Sequence, residues 1–114
     1  MMKMKLGIID HIDSAHYLPE HTTCGIVHGH TYKIEIVIEG EKNTNGMVMD
    51  FYDIKKIVKE VLKEYDHVLL NQILEYPSVE NLCEHMHARL SSRLEFPLSL
   101  KIWEGQGKWC EICP

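Results

Sequence analysis

From Thr31 to Glu39 the chain alternates almost without interruption, and His28-Gly29-His30 runs straight into this segment. His28, His30, Tyr32, Ile34, Ile36 and Ile38 share one parity. Gly29, Thr31, Lys33, Glu35 and Glu39 share the other, with Val37 the single exception. A period of two marks a strand with one face in a core and the other outside. The same pattern places two imidazoles. Residues i and i+2 of a strand point to one side, roughly 6.6 Å apart along it, so His28 and His30 continue the face that Tyr32 to Ile38 bury.

A second strand candidate precedes this one. Met4, Leu6, Ile8, Asp10, Ile12, Ser14 and His16 give an imperfect apolar face broken by Asp10. Tyr17 to Val27 reads as a polar loop holding Pro19 and Gly25, and Gly40 to Gly46 as a turn, with a possible short strand at Met47 to Met49. Helix signals follow. Asp50 is a good N-cap with Asp53 in the first turn, and Ile54, Ile57, Val58, Val61, Leu62 and Tyr65 recur at helical spacing. A second helix runs from Pro77-Ser78 to about Glu95 on a stripe of Val79, Leu82, Cys83, Met86, Leu90 and Leu94. Leu98 to Glu104 and Lys108 to Cys113 form a hairpin around Gly105-Gln106-Gly107. Two strands, two helices and two strands, the order ββααββ, predict an α+β fold with an antiparallel sheet covered on one face. Its two edge strands are an aggregation hazard that an oligomer would relieve.

Residues 1–114 are expected to form one domain, since this length holds a single compact core. With 45% hydrophobic and 25% charged residues the composition is globular. A net charge of −5 and dispersed lysines argue against nucleic acid as a partner. No apolar run reaches the roughly 18 residues of a membrane span, so no membrane partner is expected. The basic Met1 to Lys5 stretch is followed too soon by Asp10 and His11 for a secretory segment. The four cysteines then read as reduced thiols, and the expected location is cytoplasmic.

Eight histidines in 114 residues is a high count. If the first two strands pair as an antiparallel hairpin, His16 lies beside His28 and His30. Three neutral imidazoles at a sheet rim fit Zn²⁺ with a fourth position open; three unrelated core or surface histidines are the plainer alternative. Cys24, four residues before His28, is a candidate base or nucleophile, or else a fourth structural ligand. Asp66-His67 could relay a proton or simply end the first helix. Glu104 ends the buried parity of Leu98, Leu100 and Ile102. There it would need donors such as the edge of a cyclic guanidine, unless it stands in solvent at the hairpin end. Ser78 and Glu80 read as caps of the second helix, where exposed amides could receive a ligand. His85 and His87 read as solvated helix residues, and His11 and His21 have no partner identifiable from sequence. Cys110 and Cys113 face opposite sides of a strand.

Taken together, Ala15-His16, Cys24-x-x-x-His28-Gly29-His30, Gly46-Met47-Val48-Met49-Asp50-Phe51, Asp66-His67-x-x-Leu70-Asn71, Pro77-Ser78-Val79-Glu80-Asn81 and Glu104 resemble the 6-pyruvoyl-tetrahydropterin synthase / 6-carboxytetrahydropterin synthase family. The resemblance implies a tunnelling fold (T-fold), a four-stranded antiparallel sheet with two helices on one face. It also implies a homo-hexamer, a dimer of trimers with active sites at subunit interfaces. By the same resemblance His16, His28 and His30 would bind zinc, and Cys24 would abstract a proton with Asp66 and His67 as relay. Glu104 would anchor the pterin, assisted by Ser78 and Glu80. The implied substrate is 7,8-dihydroneopterin triphosphate. Three residues between Cys24 and His28 resemble the 6-carboxytetrahydropterin synthases of queuosine biosynthesis, whereas pyruvoyl-forming relatives have a longer spacer. Aldolase-like relatives place a Glu near the motif, and Cys24 to Val27 holds none. A 6-pyruvoyl-tetrahydropterin synthase eliminating triphosphate from the same substrate is the nearest alternative; a zinc hydrolase and a non-catalytic zinc-stabilised binding module are the alternatives outside this chemistry.

Overall fold

The alternating segment becomes the second strand of a four-stranded antiparallel sheet in the computed structural model, which describes residues 2–114. The elements are β1 (Met4–His16), β2 (His28–Gly40), α1 (Phe51–Leu62), a single 3-10 turn (Leu70–Gln72), α2 (Val79–Arg93), β3 (Leu98–Glu104) and β4 (Lys108–Ile112). The sheet order is β1-β2-β3-β4, so each strand pairs with its neighbour in sequence. Every inward residue of β2 is matched across the ladder. Ile12 faces Tyr32, Ile34 faces Ile102, Ile36 faces Leu100, and Ile38 faces Leu98. This face is dry because α1 and α2 cover it with Ile54, Val58, Val61, Leu62, Leu82, Cys83, Met86 and Leu90.

Local chemistry sets the helix starts. The Asp50 side chain accepts the Tyr52 N–H at 2.8 Å, and Ser78 Oγ accepts the Asn81 N–H at 3.1 Å. Glu80 is exposed in the first turn of α2 and is not a cap. Asp10, which breaks the apolar parity of β1, is half-buried and pairs with Lys59 of α1 at 3.2 Å. The opposite sheet face is uncovered and leaves Ile9 and Trp109 at least half exposed.

The structure corrects three further expectations. Met47–Met49 is not a strand, because the Asn45 side chain accepts the Met47 N–H and Asn43 donates to the Met47 carbonyl, closing a turn. α1 stops at Leu62, and Tyr65 enters the core from the turn that follows. Burial pushes the Tyr65 hydroxyl up to about 12, and that hydroxyl is hydrogen-bonded to His85 Nδ1 at 2.8 Å. His85 and His87 are therefore not merely solvated. Two helix positions apart, they diverge to different neighbours, and His87 Nε2 donates to the Leu98 carbonyl at 2.9 Å.

No helix among the described residues is long and apolar enough to cross a membrane. Ile34 has no exposed surface and sits between β1, β3 and the helices. Ile34→Ala should lower stability by about 2–5 kcal/mol through lost burial and a residual cavity, read as a lower urea midpoint.

Candidate metal centre and active site

The β1–β2 register places His16 directly opposite His28, with Ser14 opposite His30. The three rings share the covered face and stand edge to face, with centroids 4.6, 5.0 and 4.9 Å apart. Their nitrogens form a single cluster within 4.8 Å of one another. Tyr32, two residues past His30, closes the floor with its ring edge-on to His30 and His16.

Hydrogen bonding decides which nitrogens face inward. His16 Nδ1 lies 2.7 Å from the Pro77 carbonyl, and His28 Nδ1 lies 2.7 Å from the Ile26 carbonyl. A carbonyl only accepts, so both Nδ1 atoms carry the proton, and in the neutral rings both Nε2 atoms present lone pairs. Those two Nε2 atoms are 3.1 Å apart. Two lone pairs at that distance repel unless a cation lies between them. Two nitrogens bound tetrahedrally to one ion at about 2.05 Å would stand about 3.3 Å apart. The third ring completes the pattern, since His30 Nε2 is buried without a hydrogen-bond partner. Burial holds the His30 imidazole below its usual pKa, opposed by Glu104, and a neutral ring is the ligating form. The donor set fits a metal ion. Cys24 Sγ is not among the gathered ligand atoms, so these residues do not make a closed four-ligand site.

Glu104 ends β3 opposite Tyr32, and one oxygen lies 3.8 Å from His30 Nε2 and 3.4 Å from Lys108 Nζ. Its side chain is only 17% exposed, so the strand's inward face does end in a largely covered carboxylate beside the three histidines.

Asp66 and His67 lie along the free edge of β1. Asp66 accepts the Asp13 N–H at 2.9 Å and meets His67 Nδ1 at 3.0 Å, while the His67 N–H donates to the Asp13 carbonyl at 2.7 Å. His67 takes a left-handed backbone, φ 57°, and the Ala15 N–H to Val68 carbonyl bond fastens the next residue. The pair thus joins a strand edge instead of ending α1. The Asp13 N–H and then His67 hold the Asp66 carboxyl below the ordinary range. His67 and His30 border one groove of about 550 Å³. Cys24 lies apart from this pair in the 17–27 loop, half-buried, with its Sγ 3.7 Å from Thr23 Oγ1. Ser78 caps α2 one residue after the carbonyl that orients His16. Sequence reasoning missed Pro77, Ile26 and Asp13. The first two act through backbone carbonyls, which any residue could supply; only Tyr32, by its parity, was findable.

His16→Ala should weaken divalent-metal affinity by at least about 100-fold, measured by competition with a chromogenic chelator. Asp66 has a folded-state pKa below its unfolded value, so its contribution to stability is present above about pH 4 and lost as pH falls through the folded value. Asp66→Asn should therefore flatten the acid limb of the stability profile of the metal-free protein, read by thermal melts between about pH 5 and 3.

Known proteins share both sequence and fold. A family model for 6-pyruvoyl tetrahydropterin synthase matches residues 5–114. A protein of Archaeoglobus fulgidus named "Putative 6-carboxy-5,6,7,8-tetrahydropterin synthase" is 42% identical over 110 residues, 96% of each chain. The dihydroneopterin monophosphate aldolase of Pyrococcus furiosus is 43% identical over 82 residues, 69% of this chain and 71% of that one. The structure of Caenorhabditis elegans 6-pyruvoyl tetrahydropterin synthase superposes with a TM-score of 0.90 at 23% identity, covering 100% of this chain and 97% of that one. The strand and helix order is thus that of the T-fold, and the chain belongs to the 6-pyruvoyl tetrahydropterin synthase family.

Proposed function

We propose that the protein is a zinc-dependent carbon–oxygen lyase acting on 7,8-dihydroneopterin triphosphate. One water is consumed: the C–O bond to triphosphate and the bond between the first two side-chain carbons break, giving 6-carboxy-5,6,7,8-tetrahydropterin, acetaldehyde and triphosphate, and the pathway is that of queuosine and related 7-deazapurines. The observation that carries the reading is the trio of inward imidazole nitrogens beside one sheltered carboxylate. Three neutral imidazoles select a borderline ion such as Zn²⁺ over Mg²⁺ or Ca²⁺. His16, His28 and His30 would hold the ion, and zinc bound there would polarise the substrate's side-chain hydroxyls and ease proton movement between side chain and ring.

The chain's own residues supply the rest. Glu104 accepts two N–H groups from the amino-pyrimidine edge of the pterin, a bidentate charged pairing that fixes the ring. Ser78 and Glu80, at the start of α2, flank that substrate from the side of the His16 orienting carbonyl. Cys24 takes the side-chain proton as general base. Asp66, kept ionised, holds His67 Nδ1 and leaves Nε2 free to exchange that proton. Cys24 is not gathered with the Asp66 and His67 ligand atoms within one chain, and in this reading the pair from a neighbouring subunit completes the constellation. The outer edge of β4, that of β1 before Asp13, and the open sheet face support a homo-hexamer built as a dimer of trimers, with the active sites at its interfaces. The location that suits this chemistry is the cytoplasm.

A second reading is favoured by the Pyrococcus furiosus relative, an aldolase acting on dihydroneopterin monophosphate. Zinc-loaded protein incubated separately with the triphosphate and the monophosphate, with products identified by mass, separates the two. 6-Carboxytetrahydropterin and acetaldehyde from the triphosphate are expected. A pyruvoyl product, turnover of the monophosphate alone, or no turnover overturns the proposal. Cys24→Ala should lower kcat by about 10²-fold or more with zinc retained, whereas a zinc-hydroxide hydrolase would tolerate it.

A further inference from the structure

His21 plays no part in the core, the metal cluster or the groove beside His67, yet its ring organises the loop that carries Cys24. That loop, residues 17–27, contains no strand or helix, so hydrogen bonds must set its shape. Its base is closed by two backbone bonds: the Leu18 N–H donates to the Cys24 carbonyl at 2.7 Å, and the His21 N–H donates to the Leu18 carbonyl at 3.1 Å. Its tip is closed by a side chain. His21 Nδ1 accepts the Cys24 N–H at 2.9 Å and the Thr23 N–H at 3.2 Å, with Thr23 Oγ1 at 3.3 Å from the same atom. Both amides can only donate, so Nδ1 is the unprotonated nitrogen.

A side-chain acceptor serving the N–H groups two and three residues on is the geometry of an Asx turn or a helix N-cap, here built by an imidazole. The closure is tight and strained. A Cβ on Gly25 would lie 2.7 Å from the His21 carbonyl oxygen, and Glu20 sits in the left-handed region at φ 65°. Without the Nδ1 acceptor, the Cys24 and Thr23 amides lose their partner, and Cys24 is left to the Leu18 N–H bond on its carbonyl.

We propose that His21 is a positioning residue for Cys24, capping the 17–27 loop through Nδ1 so that the thiol is held at one place beside the β1–β2 rim. This rests on the proposed role of Cys24 as the proton-abstracting group. The imidazole is exposed and makes no core contact, so its replacement should leave the fold standing.

Asn is the discriminating substitution, because its Oδ1 occupies the place of His Nδ1 and accepts the same two amides; Ala leaves both unmet. His21→Ala is expected to lower kcat by about fivefold to tenfold, the loss of one cap, with KM and bound zinc unchanged, and His21→Asn is expected to recover most of it. Iodoacetamide labelling followed peptide by peptide gives a readout independent of any pterin. Cys24 should label several-fold faster in His21→Ala than in wild type and at close to the wild-type rate in His21→Asn. The exposed Cys113 serves as the internal reference. Equal Cys24 labelling in all three proteins, or a His21→Asn protein that behaves like His21→Ala, overturns the proposal. Absence of wild-type turnover would instead overturn the functional reading, and the labelling series would still judge the loop.

Discussion

The antiparallel pairing of β1 with β2 is the constraint on which the rest of the molecule depends. It sets Ile12 against Tyr32 and Ile8 against Ile36 within the core, and the same register sets His16 against His28 at the rim. Because the side-chain period of a strand is two, a slip of one residue would turn both sets to the other face together. The apolar ladder therefore fixes the ligand geometry. Burying Ile34, Ile36 and Ile38 against α1 and α2 also aims three imidazoles at one point.

The histidine cluster and its surroundings differ in how they are held. Two imidazoles are locked by backbone carbonyls, from Pro77 and Ile26, and the third is sheltered above Tyr32 beside Glu104. By contrast, Cys24 depends on a loop without regular structure, and Asp66–His67 on a short stretch strapped to a free strand edge. Rigid elements carry the ligands, and irregular segments carry the groups proposed to move protons. That division suits the proposed site, in which metal ligands would stay fixed while proton carriers adapt to a substrate.

Much of the fold was legible because its signals are local. The alternation of β2, the Asp50 and Ser78 caps and the Gly105-Gln106-Gly107 turn each declare themselves within a few residues. The short strand expected at Met47–Met49 failed because the Asn43 and Asn45 turn bonds outcompeted pairing. His85 and His87 were misread as solvated because their partners, Tyr65 and the Leu98 carbonyl, lie 20 and 11 residues away. His21 was passed over for another reason. Its partners are adjacent, but they are backbone amides, and no residue type announces them.

The sequence by itself determined the strand and helix order, the parity that puts His28 and His30 with Tyr32 on the inward face, and the family motifs around them. These follow from periodicity and residue type, which need no knowledge of distant contacts. Only the tertiary structure decided that two Nε2 lone pairs face each other at 3.1 Å, that Cys24 lies outside the nitrogen cluster, and that Asp66–His67 joins the edge of β1. Those outcomes depend on carbonyls and amides brought together from separate segments. Every residue carries such groups, so only the folded chain reveals which of them meet.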